Sequence, residues 1–277
     1  MTTIPPPRSV GELAKRVRAY ASRTGIAEGR VRLWIAHMVL VGVFGEGVSD
    51  DTGPSIRIKG GVAIELRLGS RARATRDLDV TVHSKDRDLG AAVEAALARG
   101  YADFRFRRSG EPYVMPNGAI RMRVAVEYKG RSWSTVQVDV TRCELDDMGV
   151  EYVNAIRLDE FGLEAPDMVP CLPLAYQVAQ KIHACTEPSE LSDDRVRDLV
   201  DLLLLQEFTT NDSEVRAACE KLFASRGTHS WPPEVQAATA WLKEYERLAV
   251  EVGLSTSDLD EAVEAVRAYI ARLRESA

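Results

Sequence analysis

The chain lacks any apolar run long enough to cross a bilayer: its most apolar stretch, Leu33–Phe44, falls short of the ~20 residues a spanning helix needs. Paired or motif-spaced cysteines are also missing. Cys143, Cys171, Cys185 and Cys219 are scattered without Cys-x-x-Cys, which excludes a disulfide framework and reads as reduced thiols of a cytoplasmic protein. The four histidines, His37, His83, His183 and His229, show no metal-ligand spacing. Positive charge is not in excess either, with 36 Lys and Arg against 42 Asp and Glu for a net charge of −6. Wholesale electrostatic binding of nucleic acid is thereby excluded, while local basic patches stay open. No basic-then-apolar leader, internal repeat, heptad or low-complexity tract is present. Met1–Pro7 is a polar, proline-rich lead-in, expected to be disordered.

What is present is enough apolar sequence for a real core in a chain of 277 residues, as one large domain or two moderate ones. Helical spacing of Val10, Leu13, Val17 and Tyr20 predicts a first helix with Ser9 as its N-cap, and Arg30–Phe44 reads as a second, mostly buried one. A loop is expected over Asp50–Pro54. After Ile56 and Ile58 comes Lys59-Gly60-Gly61, then a short helix Ala63–Leu68, stopped by Gly69-Ser70. Asp77-Leu78-Asp79-Val80-Thr81-Val82 alternates as a strand, so Asp77 and Asp79 point the same way. Two carboxylates so placed suit divalent ions that bridge a nucleotide's phosphates. The glycine pair would let backbone N–H groups approach a phosphate at a helix start.

Downstream, a helix is expected around Ala91–Leu97, ended by Gly100. Strands are expected over Tyr101–Arg107, Ala119–Tyr128 and Val136–Val140, with Asn117-Gly118 as a hairpin turn. From about Pro166 the pattern is helical: Leu174–Cys185, with Pro173 in its first turn, then a helix through Asp193–Leu202, then Ser213–Ser225, Pro233–Val252 and Ser257–Arg274. Ser257 with Asp260 resembles a cap. Trp231, Trp241, Tyr245 and Tyr269 read as core. A nucleotide-handling domain over residues 1–160 and a helical domain over 161–277 that closes the cleft are expected.

The order apolar–Gly–Gly, helix, Asp-x-Asp strand resembles the DNA polymerase β-like nucleotidyltransferase superfamily. Within it, Lys59-Gly60-Gly61 followed by Arg73-x-Thr75-x-Asp77-Leu78-Asp79 is similar to the AbiEii/AbiGii-type, MenT-like toxins. The likeness implies an α/β (α+β) fold, a small mixed sheet followed by helices. It implies Mg²⁺ (or Mn²⁺) held by Asp77, Asp79 and a third carboxylate, for which Asp139 is the match, as the base for an incoming hydroxyl. Lys59, Gly60, Gly61, Arg73 and Thr75 would bind the NTP. Lys181, inside an Ala/Leu-rich helix, matches a lysine that reaches a phosphate. Arg195-Val196-Arg197-Asp198-Leu199-Val200-Asp201-Leu202 resembles the family's Arg-x-Arg-Asp-Leu-x-Asp-Leu. One of Asp198 and Asp201 would fix Lys181 or the base and sugar, and Arg195 or Arg197 would bind phosphate. His83, at the end of the Asp-x-Asp strand, is the histidine expected near the site.

The implied activity is transfer of NMP from an NTP, with the 3′ end of tRNA as acceptor and a cognate antitoxin as partner. The alternatives are a small-molecule acceptor such as an aminoglycoside, a protein hydroxyl, or a non-catalytic nucleotide sensor. Arg105, Arg107, Arg108, Arg121 and Arg123 are candidates for a basic lane. Thr75 is where a phosphate, competing for metal and for Arg73 or Arg76, would silence the enzyme.

Overall fold

The computed structural model describes residues 4–45, 49–50, 53–83, 88–145, 148–187, 195–209 and 211–276. The chain divides into two compact units. One comprises Met1–Gly69, Ala74–Cys143 and Gly149–Cys171; the other comprises Ser70–Arg73, Glu144–Met148 and Leu172–Ala277.

The first unit begins with α1 (Val10–Thr24), capped by the Ser9 hydroxyl on the Glu12 N–H and stopped by Gly25 in the left-handed region. Its lead-in is not loose. Pro5 and Pro7 each lend a carbonyl, to Arg16 at 2.7 Å and to the Tyr128 hydroxyl at 2.7 Å, which corrects the expected disorder for residues 4–7; residues 1–3 lie outside the described ones. Helix α2 (Glu28–Gly45) has no polar face beyond its first turn because Val31 and Trp34–Phe44 are all buried. A helix apolar all round must be surrounded, and α2 packs against α1 and the sheet.

Of the expected loop at Asp50–Pro54, the ends pair as β1 (Ser49–Asp50) and β2 (Gly53–Pro54), and residues 51–52 lie outside the described ones. The main sheet contains β3 (Ile56–Lys59), β4 (Asp77–Val82), β5 (Phe104–Arg108), β6 (Tyr113–Val114), β7 (Ile120–Tyr128), β8 (Arg131–Arg142), β9 (Glu151–Asn154) and β10 (Met168–Cys171). Its order is β5-β7-β8-β4-β3-β10-β9, with β6 on β7. Strand β4 runs parallel to β8 and β10 parallel to β3, and the remaining pairs are antiparallel. The mixed α/β fold is the expected one. Between β3 and β4 lies α3 (Gly60–Leu68), which starts three residues earlier than its apolar pattern suggests; between β4 and β5 lies α4 (Leu89–Leu97), capped by Asp88. Asn117-Gly118 closes β6 onto β7. The β7–β8 turn is Lys129-Gly130, both with positive φ (47° and 72°), which is the twist a two-residue hairpin favours.

The second unit is helical: α5 (Leu174–Thr186), α6 (Val196–Leu205), α7 (Asp212–Arg226), α8 (Leu242–Val252) and α9 (Leu259–Glu275). Pro173 caps α5 from outside its first turn. The start expected for α6 at Asp193-Asp194 lies outside the described residues. The helix expected over Pro233–Val252 forms only from Leu242, after a 3-10 turn at Thr239–Trp241. Pro232 and Pro233 remove two donors, and the Val235 carbonyl is taken by the Arg267 guanidinium at 2.8 Å. Asp258, not Ser257, caps α9, accepting from the N–H groups of Asp260 and Glu261. Asp258 is the residue directly before the helix, where a cap must stand, and Ser257 lies one residue too far out. Trp241, Tyr245 and Tyr269 are core residues, and the half-buried Trp231 packs on Phe223. No helix among the described residues is long and apolar enough to cross a membrane.

Candidate active site

Sheet register builds the first part of the site. Lys59 lies opposite Asp79, Asp79 opposite Asp139, and Asp139 opposite Arg121, so these four form one line across β3, β4, β8 and β7. The parallel line two residues away is Asp77, Gln137 and Arg123. Directly paired residues share a face. The intervening residues, among them Leu78, Val80, Val138, Val140 and Met122, face the other way and are buried. The three predicted carboxylates, Asp77, Asp79 and Asp139, therefore stand on a common polar face. Asp139 belongs to an interior strand, flanked by β4 and β7.

The glycine pair has a role that spacing did not reveal. Gly60 has φ +61°, and a Cβ there would strike the Asp79 carboxylate; a Cβ on Gly61 would come within 2.5 Å of the Thr75 hydroxyl. The missing side chains thus let the start of α3 close onto the acid strand itself. Lys59 is the N-cap of α3 and makes no side-chain cap, so the first N–H groups of the helix stay uncapped by it. Thr75 is 8 % exposed, and its hydroxyl reaches the Asp77 carbonyl at 3.4 Å.

Asp139 carries a partner that sequence reasoning missed. Arg121 donates Nε–H to its Oδ1 at 2.9 Å and Nη2–H to its Oδ2 at 2.6 Å. The guanidinium is held above its ordinary pKa first by that hydrogen bond, then by the charges of Asp139, Asp77 and Asp79 against the cost of partial burial. Of the expected basic lane, Arg105, Arg107, Arg121 and Arg123 share this face through the β5–β7 register. Arg108 does not: it alternates to the other side and pairs with Glu94 of α4 at 2.9 Å. His83 sits four residues beyond Asp79, roughly 13 Å along an extended strand, so it is not beside the carboxylates.

The second unit gathers the remaining predicted residues. Lys181 on α5 bonds Asp198 at 2.6 Å and Asp201 at 2.8 Å, both on α6. Arg73 closes the cluster with a bidentate pair to Asp201, both bonds 3.0 Å. Burial alone would discharge Lys181, but Asp198 and Asp201 outweigh it and hold its pKa above the ordinary value. Likewise burial would raise Asp201, yet Lys181 and Arg73 bring it below its ordinary value. Both acids thus engage Lys181, and Asp201 is the fully buried one. Arg195 reaches Asp198 at 3.4 Å, whereas Arg197 is exposed and acts on Glu244 of α8. Sequence spacing also overlooked His183, Glu187 and His229, whose donor atoms converge in this unit; the i, i+4 step from His183 to Glu187 was its one local signal.

Comparison with known proteins bears on this arrangement. The profile of one family, described as nucleotidyl transferase AbiEii toxin, type IV TA system, matches residues 48–271. No curated protein matches the chain in sequence. Among solved structures, the chain is similar to MenT4, a nucleotidyltransferase toxin from Mycobacterium tuberculosis H37Rv. The TM-score is 0.60 and the identity 17%, over 97% of this chain and 90% of that one, a likeness of fold. An antigenic nucleotidyltransferase-like protein from Paracoccidioides brasiliensis aligns with a TM-score of 0.45 and 17% identity, over 71% of this chain and 89% of that one. With the profile spanning most of its length and the Gly-Gly, Asp-x-Asp elements inside the match, the chain belongs to the AbiEii nucleotidyltransferase toxin family of type IV toxin–antitoxin systems.

Proposed function

We propose that the protein transfers a nucleoside monophosphate from an NTP to an acceptor hydroxyl, the 3′ end of tRNA. The observation that carries this reading is the line Asp79–Asp139 with Asp77 beside it, on the face where α3 begins. Three carboxylates offer oxygen donors only, the set that suits Mg²⁺ or Mn²⁺ rather than a softer ion, so Asp77, Asp79 and Asp139 fit the divalent ion expected of such a family. That ion, when bound, supplies charge neutralisation on the triphosphate.

The chain's own residues do the rest. The N–H groups at Gly60 and Gly61 and the positive end of α3 hold phosphate oxygens. Lys181 has three N–H donors, two of them engaged by Asp198 and Asp201, and offers the third to a phosphate. Arg73, fixed by Asp201, and Arg195, which reaches Asp198, are the further phosphate candidates, ahead of the exposed Arg197. Asp139 takes the proton of the incoming hydroxyl. The acceptor oxygen bonds to the α-phosphorus, the α–β bridging P–O bond breaks, and pyrophosphate leaves with that electron pair. Arg105, Arg107, Arg121 and Arg123 on the acid face favour a polyanionic acceptor over an aminoglycoside or protein hydroxyl, and an acid set on interior strands favours an enzyme over a nucleotide sensor. A cytoplasmic protein neutralised by a cognate antitoxin is the setting. Thr75 is the position where phosphate would silence the site, since it packs against Gly61 and would have to displace it.

Incubation of the pure protein with each labelled NTP, Mg²⁺ and total RNA tests the reading. Label is expected in the tRNA fraction, at its 3′ terminus, and not with Asp79→Asn. Label confined to protein or to small molecules, or transfer that survives the substitution, refutes it.

A further inference from the structure

Outside the acid face, three metal-ligating side chains meet in the helical unit. His183 stands in the last turn of α5, Glu187 follows immediately after that helix, and His229 lies just past α7. One donor atom from each lies within 4.8 Å of the others. His229 Nδ1 is 3.3 Å and His183 Nε2 4.0 Å from the same Glu187 oxygen. Donors around a tetrahedral zinc ion at its usual bond lengths stand ~3.3 Å apart. We propose that His183, Glu187 and His229 form a binding site for a divalent transition ion of the zinc class, distinct from the oxygen-only site of Asp77, Asp79 and Asp139.

Packing fixes the donors in advance. Helices α5 and α7 lie against each other, and Gly227, at φ +65°, turns the chain out of α7 so that His229 comes back toward α5. The Phe223 ring braces both imidazoles, with centroids 4.8 and 4.9 Å away. Glu187 and His183 are 9 % and 4 % exposed.

The outer partner of His229 sets the tautomer that a metal-bound histidine requires, whereas that of His183 sets the opposite one. The Thr186 hydroxyl donates to the Ile182 carbonyl at 2.7 Å, so at 2.9 Å it accepts from His229 Nε2–H. That leaves the His229 Nδ1 lone pair toward Glu187. His183 Nδ1 accepts from Arg226 at 3.1 Å, which puts its proton on Nε2, directed at the Thr228 hydroxyl 3.1 Å away. That hydroxyl also touches Glu187 and His229 Nδ1, and so stands at the hub. Ion entry displaces it and moves the His183 proton to Nδ1, while Arg226 turns to Glu144, which it already holds at 2.6 Å.

Two imidazoles and one carboxylate favour zinc over magnesium. A cavity of about 330 Å³, lined by Thr186, Ser230, Glu234 and Gln236 among others, borders the His229 ring. Held by the three side chains, the ion ties the end of α5 to the segment after α7 and stabilises the folded chain by mass action.

The full-length protein, stripped with EDTA and desalted, is titrated with ZnCl₂ or MgCl₂ by calorimetry and followed by thermal melting. In Asp79→Asn, whose acid face is disabled, one zinc per chain and a raised Tm are expected with zinc and neither with magnesium. In that background Glu187→Gln and His229→Gln should each weaken zinc binding more than about 100-fold, beyond what loss of an outer partner costs. X-ray absorption at the zinc edge of the wild-type protein should show imidazole scattering without sulfur. No zinc binding by the wild type, sulfur ligation, unchanged affinity in the folded variants, or loss of zinc with Asp79→Asn would each overturn the proposal.

Discussion

Arg121 grips Asp139 with both arms of its guanidinium, at 2.9 and 2.6 Å, on the carboxylate expected to serve metal and base. The pair is 41% and 15% exposed on its two sides, so solvent screens it and its strength is that of a surface ion pair. Arg121→Gln should therefore ease metal entry rather than destroy the site. The Mg²⁺ concentration for half-maximal transfer is expected to fall two- to fivefold, about 0.5–1 kcal/mol. A requirement that rises or stays put would show that Arg121 does not compete for Asp139.

Asp77→Asn and Asp79→Asn should each lower turnover by about a hundredfold or more, the equivalent of a few kcal/mol of lost charge stabilisation. Clustered like charges repel one another, so the Tm in EDTA should hold or rise. Melting curves paired with turnover measurements check both halves; a large fall in Tm would mark the acids as structural.

Gly60 and Gly69 share φ +61°, but a Cβ strikes Asp79 only at Gly60, and Gly69 has open space around it. Comparing the two alanine variants thus separates backbone strain from the clash. Gly69→Ala should cost about 1–3 kcal/mol, the strain of a side chain at φ 61°, ψ −130°, outside the left-handed helical well. Gly60→Ala should cost about 1–3 kcal/mol more and reduce transfer, because Asp79 must move. Equal losses in urea unfolding would mean that the approach of Asp79 is not confined.

Asp201 links stability to pH. Its carboxyl is held below the ordinary 3.8 by Lys181 and Arg73, against burial. A depressed folded pKa gives stability that is present above the unfolded value and lost as pH falls through the folded one. Asp201→Asn should cost about 3–5 kcal/mol at neutral pH, because Lys181 and Arg73 lose a buried partner. The acid limb between about pH 5 and pH 2 should flatten. Urea unfolding across that range reads the slope, and an unchanged slope would assign the acid limb to other carboxylates.

Much of the site could be read from the chain because strand alternation is a local property. Asp77 and Asp79 lie two apart on β4, and Asp139 with Gln137 on β8, so each pair had to share a face whatever the rest of the molecule did. The Ser9 cap and the apolar ring of α2 followed from neighbours within a turn or two. Partners set by register and packing were not legible. Arg121 meets Asp139 from 18 residues away and Arg73 meets Asp201 from 128 away, and nothing near either residue specifies its partner. The same holds for Gly60, whose closeness to Asp79 adds a second reason for a missing side chain that no neighbour in the chain reveals. It holds again for His229, which joins His183 and Glu187 only because Gly227 turns the chain back after α7. Sequence by itself determined which side chains face which way along each element; tertiary structure decided which of them meet, because facing is set by the 2- and 3.6-residue periods of the backbone and meeting by long-range packing.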